Sequence, residues 1–115
     1  MSDDCLFCGI VAGDVPAEIV AEGDDWVAFR DVDPQAPTHV LVVPREHVAT
    51  TNDLGPDHDP LAGRLVRAAA EVAESEGVAE SGWRLVVNCN RGAGQSVFHI
   101  HLHVLGGRPM GWPPG

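Results

Sequence analysis

The 115-residue chain contains no lysine. Its seven basic residues are all arginine, against 17 aspartates and glutamates, and the formal net charge is -10. So acidic a chain is a poor match to a phosphate backbone or an anionic bilayer, which argues against nucleic-acid polymers and membranes as partners. No apolar run approaches the roughly 18 residues of a spanning helix. The start, Met1-Ser2-Asp3-Asp4, lacks the basic region of a secretory signal, which points to a cytoplasmic protein. Cysteine is scarce, and the odd count of Cys5, Cys8 and Cys89 argues against a secreted disulfide framework. The absence of lysine fits either GC-rich coding or a high-salt cytoplasm. The length suits a single domain, residues 1–115, with a core that needs no staples.

What is present reads as α+β. Cys5 to Ala12 is a short amphipathic stretch closed by Gly13. Ile19 to Ala21 and Trp26 to Phe29 read as strands about the turn at Gly23-Asp24-Asp25. Thr38 to Val43 is a β-branched strand stopped by Pro44. Asp59-Pro60 reads as a cap and first position of the one long helix. Leu61, Leu65, Ala68 and Val72 form its stripe, Val66, Ala69 and Ala73 widen it, and Gly77 ends it. Trp83 to Asn88 and Val97 to Leu105 complete the strands. Short strands with one long helix suggest an antiparallel sheet.

Two features carry chemistry. His99-Ile100-His101-Leu102-His103 holds three of the six histidines in five residues. In extended chain the three rings share one face while Ile100, Leu102 and Val104 enter the core. The preceding Gly92-Ala93-Gly94-Gln95-Ser96 offers amides and a hydroxyl beside those rings, as a phosphate cradle would. The second feature, Cys5-Leu6-Phe7-Cys8, is either a redox pair or half of a metal site. Cys89, in an apolar run, reads as buried and inert.

The segment from His99 to Leu105 resembles the His-φ-His-φ-His-φ-φ signature of the histidine triad family, φ being apolar. The resemblance extends to Asp31-Val32-Asp33-Pro34-Gln35-Ala36-Pro37-Thr38-His39, to Val43-Pro44-Arg45-Glu46-His47, and to Val86-Val87-Asn88. Gly94-Gln95-Ser96-Val97-Phe98-His99 and the ending Trp112-Pro113-Pro114-Gly115 are similar to the Hint branch, the nucleoside phosphoramidases.

The resemblance implies a five-stranded antiparallel sheet with one long and one short helix. It also implies a two-fold homodimer with a continuous ten-stranded sheet, its tail of residues 108–115 and Trp112 reaching the partner's site. The implied substrate is a purine nucleoside phosphoramidate or aminoacyl adenylate, hydrolysed to the purine nucleoside monophosphate. His101 would be the nucleophile, its tautomer held by a backbone carbonyl matching that of His39. His103, His39 and Ser96 would assist catalysis. Asn88, Gly94, Ser96, His99 and His103 would bind phosphate or leaving group, Asp31 the ribose, and Leu6, Phe7, Ile10, Phe29 and Val32 the base. Cys5, Cys8, His47 and His99 are similar to the ligands of a structural zinc in prokaryotic relatives, with no cofactor required for the chemistry. The alternatives are a dinucleoside polyphosphate hydrolase, a nucleotide- or partner-binding module with weak catalysis, and a protein whose three triad histidines all ligate metal.

Overall fold

The computed structural model describes residues 4–115, so most of the acidic start, Met1-Ser2-Asp3, lies outside the described residues. The chain runs α1 (Leu6–Ala12), β1 (Ile19–Glu22), β2 (Trp26–Arg30), β3 (Thr38–Pro44), α2 (Asp59–Ser75), β4 (Trp83–Val87) and β5 (Leu102–Gly106). Short 3-10 turns lie at Thr51–Asp53, Pro56–His58 and Arg91–Ala93. The strands form one antiparallel sheet in the order β1-β2-β3-β5-β4. No helix among the described residues is long and apolar enough to cross a membrane.

The period of two divides the sheet into two faces. Ala28, Val40, Val42, Leu102 and Val104 point to one face, where α2 covers them with Leu61, Leu65, Ala68, Ala69, Val72 and Ala73. Val27, Phe29, Leu41 and Val43 point to the other, where Phe7 and Ile10 of α1 pack on them. Seven residues of α1 cannot roof that face as seventeen of α2 roof the first. The histidines lie on this second face, with His99 and His101 against Phe7 of α1.

Three expectations are corrected. Asp59 is the first helical residue of α2, not its cap; His58 precedes it at the end of a 3-10 turn and makes no side-chain cap bond. Val66 does not widen the buried stripe, being 52% exposed. The last strand starts at Leu102, not Val97. The register Val42↔Leu102 would bring Ile100 opposite Pro44, which has no N–H to give. Ile100 N–H instead donates to the Val48 carbonyl at 2.8 Å. The chain nevertheless stays extended enough to keep its alternation. Ile100, Leu102 and Val104 are buried under α2, while the three imidazoles turn toward α1.

Candidate active site and metal cluster

Four elements converge on a cavity of about 250 Å3 lined by Leu6, Phe7 and Ile10 of α1, Phe29 and Arg30 of β2, Asp31 and Val32 beyond it, Leu41 of β3, Ser96 and Val97 of the loop, and His101 and His103. The structure thus brings together Leu6, Phe7, Ile10, Phe29, Val32, Asp31, Ser96, His101 and His103, all expected from the sequence. Arg30, Leu41 and Val97 were missed. Leu41 and Val97 read as ordinary strand residues, and only the registers Phe29↔Leu41↔His103 show that Leu41 belongs to this face.

Hydrogen bonds fix the state of each ring. His101 Nδ1 lies 2.8 Å from the His99 carbonyl, which only accepts, so Nδ1 carries the proton and Nε2 keeps its lone pair. This corrects the expected acceptor: the His39 carbonyl instead receives Asp31 N–H at 3.0 Å, as the loop after β2 folds back on β3. Gln35 N–H donates to His39 Nδ1 at 2.9 Å, which leaves the proton of neutral His39 on Nε2. That proton points to His103 Nδ1 at 2.9 Å, with Asp31 Oδ2 at 3.3 Å. His103 therefore carries its own proton on Nε2, and this buried atom has no partner among the described residues. Burial holds both rings neutral against the pull of Asp31. His103 is pushed down to about 4, chiefly by burial and then by His101 and His39, and His39 falls below its ordinary value for the same first reason. The arrangement is a one-way chain of donors from Gln35 to the cavity. It also disfavours a metal among Asp31, His39 and His103, since His39 Nε2, the atom facing the other two, bears the proton.

The loop is built differently from expectation. Gly94 caps a 3-10 turn at φ 92°, a left-handed conformation suited to glycine, and its N–H is spent on the Arg91 carbonyl at 2.9 Å. Gln95 and Ala93 N–H groups are spent on Asn90. Gly94 as a phosphate donor is thereby corrected, because a closed turn satisfies its own amides. Buried Gln95 is the organiser that the sequence did not reveal. It accepts from Asn90 N–H at 2.7 Å and donates to the carbonyls of Ala49 and Val97 at 2.8 and 3.1 Å. Ser96, next to it, is exposed, and its hydroxyl bonds no other described residue. Asn88 does not line the cavity. One step beyond the register Val87↔Leu102, it stands level with His101 on the same face. Trp112 is 83% exposed beside the Arg84 guanidinium and lines no part of this chain's cavity.

His99 is fully buried, and both of its nitrogens are committed, which corrects its expected contact with substrate. Nε2 lies 2.8 Å from the Pro44 carbonyl and so bears the proton. Nδ1 presents its lone pair to Cys5 Sγ at 3.4 Å and Cys8 Sγ at 3.5 Å, while His47 Nδ1 lies 3.2 Å from Cys8 Sγ. The four ligand atoms lie within 4.8 Å of one another. Two thiols and two imidazoles, one of them oriented by a carbonyl behind it, suit a zinc-like cation. Burial, and then Cys5, push the Cys8 thiol up, a bias that a bound cation would reverse. His101 belongs to neither this cluster nor the Asp31 cluster, which counts against all three triad histidines ligating a metal. Cys89 is half-buried, not buried.

An imidazole whose Nε2 keeps its lone pair beside a largely apolar cavity, next to a chain of donors and an exposed hydroxyl, marks a small α+β hydrolase of the histidine triad class. The chain belongs to the HIT domain family, whose model matches residues 12–110. It is 47% identical over 111 residues to the purine nucleoside phosphoramidase of Escherichia coli K12, covering 96% of this chain and 93% of that protein. A HIT family hydrolase from Legionella pneumophila superposes with TM-score 0.95 at 52% identity, covering 97% of this chain and all of that one. A zinc-bound histidine triad family protein from Mycobacterium smegmatis superposes with TM-score 0.77 at 32% identity, covering 91% of this chain and 76% of that one.

Proposed function

We propose that this chain hydrolyses the P–N bond of purine nucleoside phosphoramidates, or the acyl phosphate bond of aminoacyl adenylates, through a nucleotidyl-His101 intermediate. The observation that carries the reading is the His101 Nδ1 contact with the His99 carbonyl, which leaves Nε2 as a nucleophile facing the cavity. Nε2 forms a bond to the α-phosphorus as the P–N bond breaks, the amine leaving with a proton drawn from solvent that the attacking water of the second step returns. In an aminoacyl adenylate the P–O bond to the acyl group breaks instead and a carboxylate leaves. His103 Nε2–H and the Ser96 hydroxyl donate to the phosphoryl oxygens or the leaving nitrogen as charge develops. Water then attacks the same phosphorus, the bond to Nε2 breaks, and the nucleoside monophosphate is released. Asp31 receives the ribose hydroxyls, and Leu6, Phe7, Ile10, Phe29 and Val32 enclose the base. Asn88 stands level with the reacting ring.

Cys5, Cys8, His47 and His99 would hold a structural zinc that ties α1 to the sheet, and no catalytic metal is needed. Two chains pair along the outer strand β4, giving a ten-stranded sheet and carrying each Trp112 toward the partner's cavity. Sedimentation of the full chain as a dimer supports that pairing, and a monomer at micromolar concentration rejects it.

The central test is His101→Ala on an adenosine phosphoramidate, beside diadenosine polyphosphate as competing substrate. A loss of about a thousandfold or more is expected, with the wild type preferring the phosphoramidate. Undiminished turnover of His101→Ala would overturn the nucleophile assignment. Preference for the polyphosphate would overturn the substrate class.

A further inference from the structure

We infer that the Cys5, Cys8, His47 and His99 cluster and the nucleotide cavity are one coupled unit, so that a metal ion in the cluster tightens nucleoside monophosphate binding through His99 and Phe7. The inference rests on the nucleotide reading of the cavity given above.

Two physical links join the sites. The first is His99. Its ring faces both thiols through Nδ1 and the Pro44 carbonyl through Nε2, and its own carbonyl receives His101 Nδ1–H at 2.8 Å. The ring is fully buried with both nitrogens held, so it has little freedom to shift without carrying its backbone along. The backbone atom it carries is the one that sets the nucleophile's tautomer and direction.

The second link is α1. Cys5 and Cys8 bracket Leu6 and Phe7, and both of these line the cavity. The Phe7 ring meets His101 edge-on at 5.1 Å between centroids, His99 at 6.1 Å and Phe29 at 5.3 Å. A seven-residue helix does not hold itself together in water. Here it is held by burial of Phe7 and Ile10, by Cys8 N–H donating to Cys5 Sγ at 3.3 Å, and by the contacts of its thiols with His47 and His99. His47 follows β3 and His99 precedes β5, so an ion bound by all four ties α1 to the two central strands. That bond fixes the wall of the cavity formed by Leu6 and Phe7. The opposite wall, Phe29 and Leu41, is fixed by the sheet ladder regardless.

Coupling of this kind is reciprocal: the factor by which metal raises nucleotide affinity must equal the factor by which nucleotide raises metal affinity. The test uses the full chain under reducing conditions, zinc-loaded and chelator-stripped, with folding followed by circular dichroism and adenosine monophosphate titrated calorimetrically. Stripping is expected to raise the Kd at least about fivefold, and saturating nucleotide to raise zinc retention against a chelator by the same factor. A second arm keeps the protein loaded at the outset, so it does not depend on the stripped form staying folded. Phe7→Leu keeps all four ligands and is expected to lose most of the nucleotide effect on zinc retention. Nucleotide that binds loaded and stripped protein equally, or an undiminished effect in Phe7→Leu, overturns the coupling while leaving the nucleotide reading intact. Nucleotide that binds neither form overturns both.

Discussion

Each imidazole in the site has its chemistry set by the group on its far side. The His99 carbonyl gives His101 a free Nε2, the Gln35 amide gives His39 a donating Nε2, and His39 in turn makes His103 a donor. Three residues of one type thereby take three roles. Ser96 differs in having no internal bond to lose. Ser96→Ala is expected to leave stability unchanged and to lower kcat by about tenfold to a hundredfold, as for a donor to a developing oxyanion. Paired thermal melts and turnover check this, and kcat within about twofold of wild type would remove Ser96 from the reaction. His103→Ala removes the terminal donor of the chain and is expected to slow turnover comparably without abolishing it. If His103→Ala instead abolished turnover as fully as His101→Ala, the roles of the two rings would need reassignment.

At the scale of elements, α2 and the loop before β5 do the positioning. Leu65 and Val66 are neighbours on α2, one buried in the core and one half-exposed. Leu65→Ala is expected to cost about 2–5 kcal/mol and Val66→Ala less than about 0.5 kcal/mol, read from urea unfolding. Similar losses at both would mean that α2 packs in another rotation. The loop depends on Gln95 for three hydrogen bonds, to Asn90, Ala49 and Val97. Gln95→Ala leaves one amide and two carbonyls, all only partly buried, short of partners, at a cost of about 1–3 kcal/mol. Activity should fall further than stability alone explains, because Ser96 and His99 hang from the same loop.

For the whole molecule, net charge and buried imidazoles set the response to solvent. His103 titrates near 4 when folded, below the ordinary imidazole value, and His39 is shifted the same way. Between those values and the ordinary one, the unfolded chain binds protons that the folded chain refuses. The contribution is present above about pH 6.5 and is lost as pH falls toward 4. Urea midpoints should therefore drop across that window, and His103→Phe should flatten part of the slope. A midpoint constant from pH 7 to 4 would contradict the buried neutral chain. With a net charge of -10, stability should also rise as salt screens self-repulsion. A response saturating near the ionic strength of ordinary buffers fits GC-rich coding, whereas a gain continuing to molar salt fits a high-salt cytoplasm.

The sequence by itself determined most of the elements and the side of the sheet on which each histidine would fall. Periodicities of two and 3.6 are local properties, and His99, Ile100, His101, Leu102 and His103 kept their alternation even where the ladder stopped. The Cys5 and Cys8 pair and the apolar residues beside it were legible for the same reason. Tertiary structure alone decided which carbonyl holds His101, that the Gly94 amide is already used, that Gln95 anchors the loop, and that His99 faces the thiols and not the cavity. Those outcomes depend on which donors and acceptors meet across 46, 55 or 94 residues of chain. A hydrogen bond is settled by distances and angles within a few tenths of an ångström, which no pattern of residue types encodes locally.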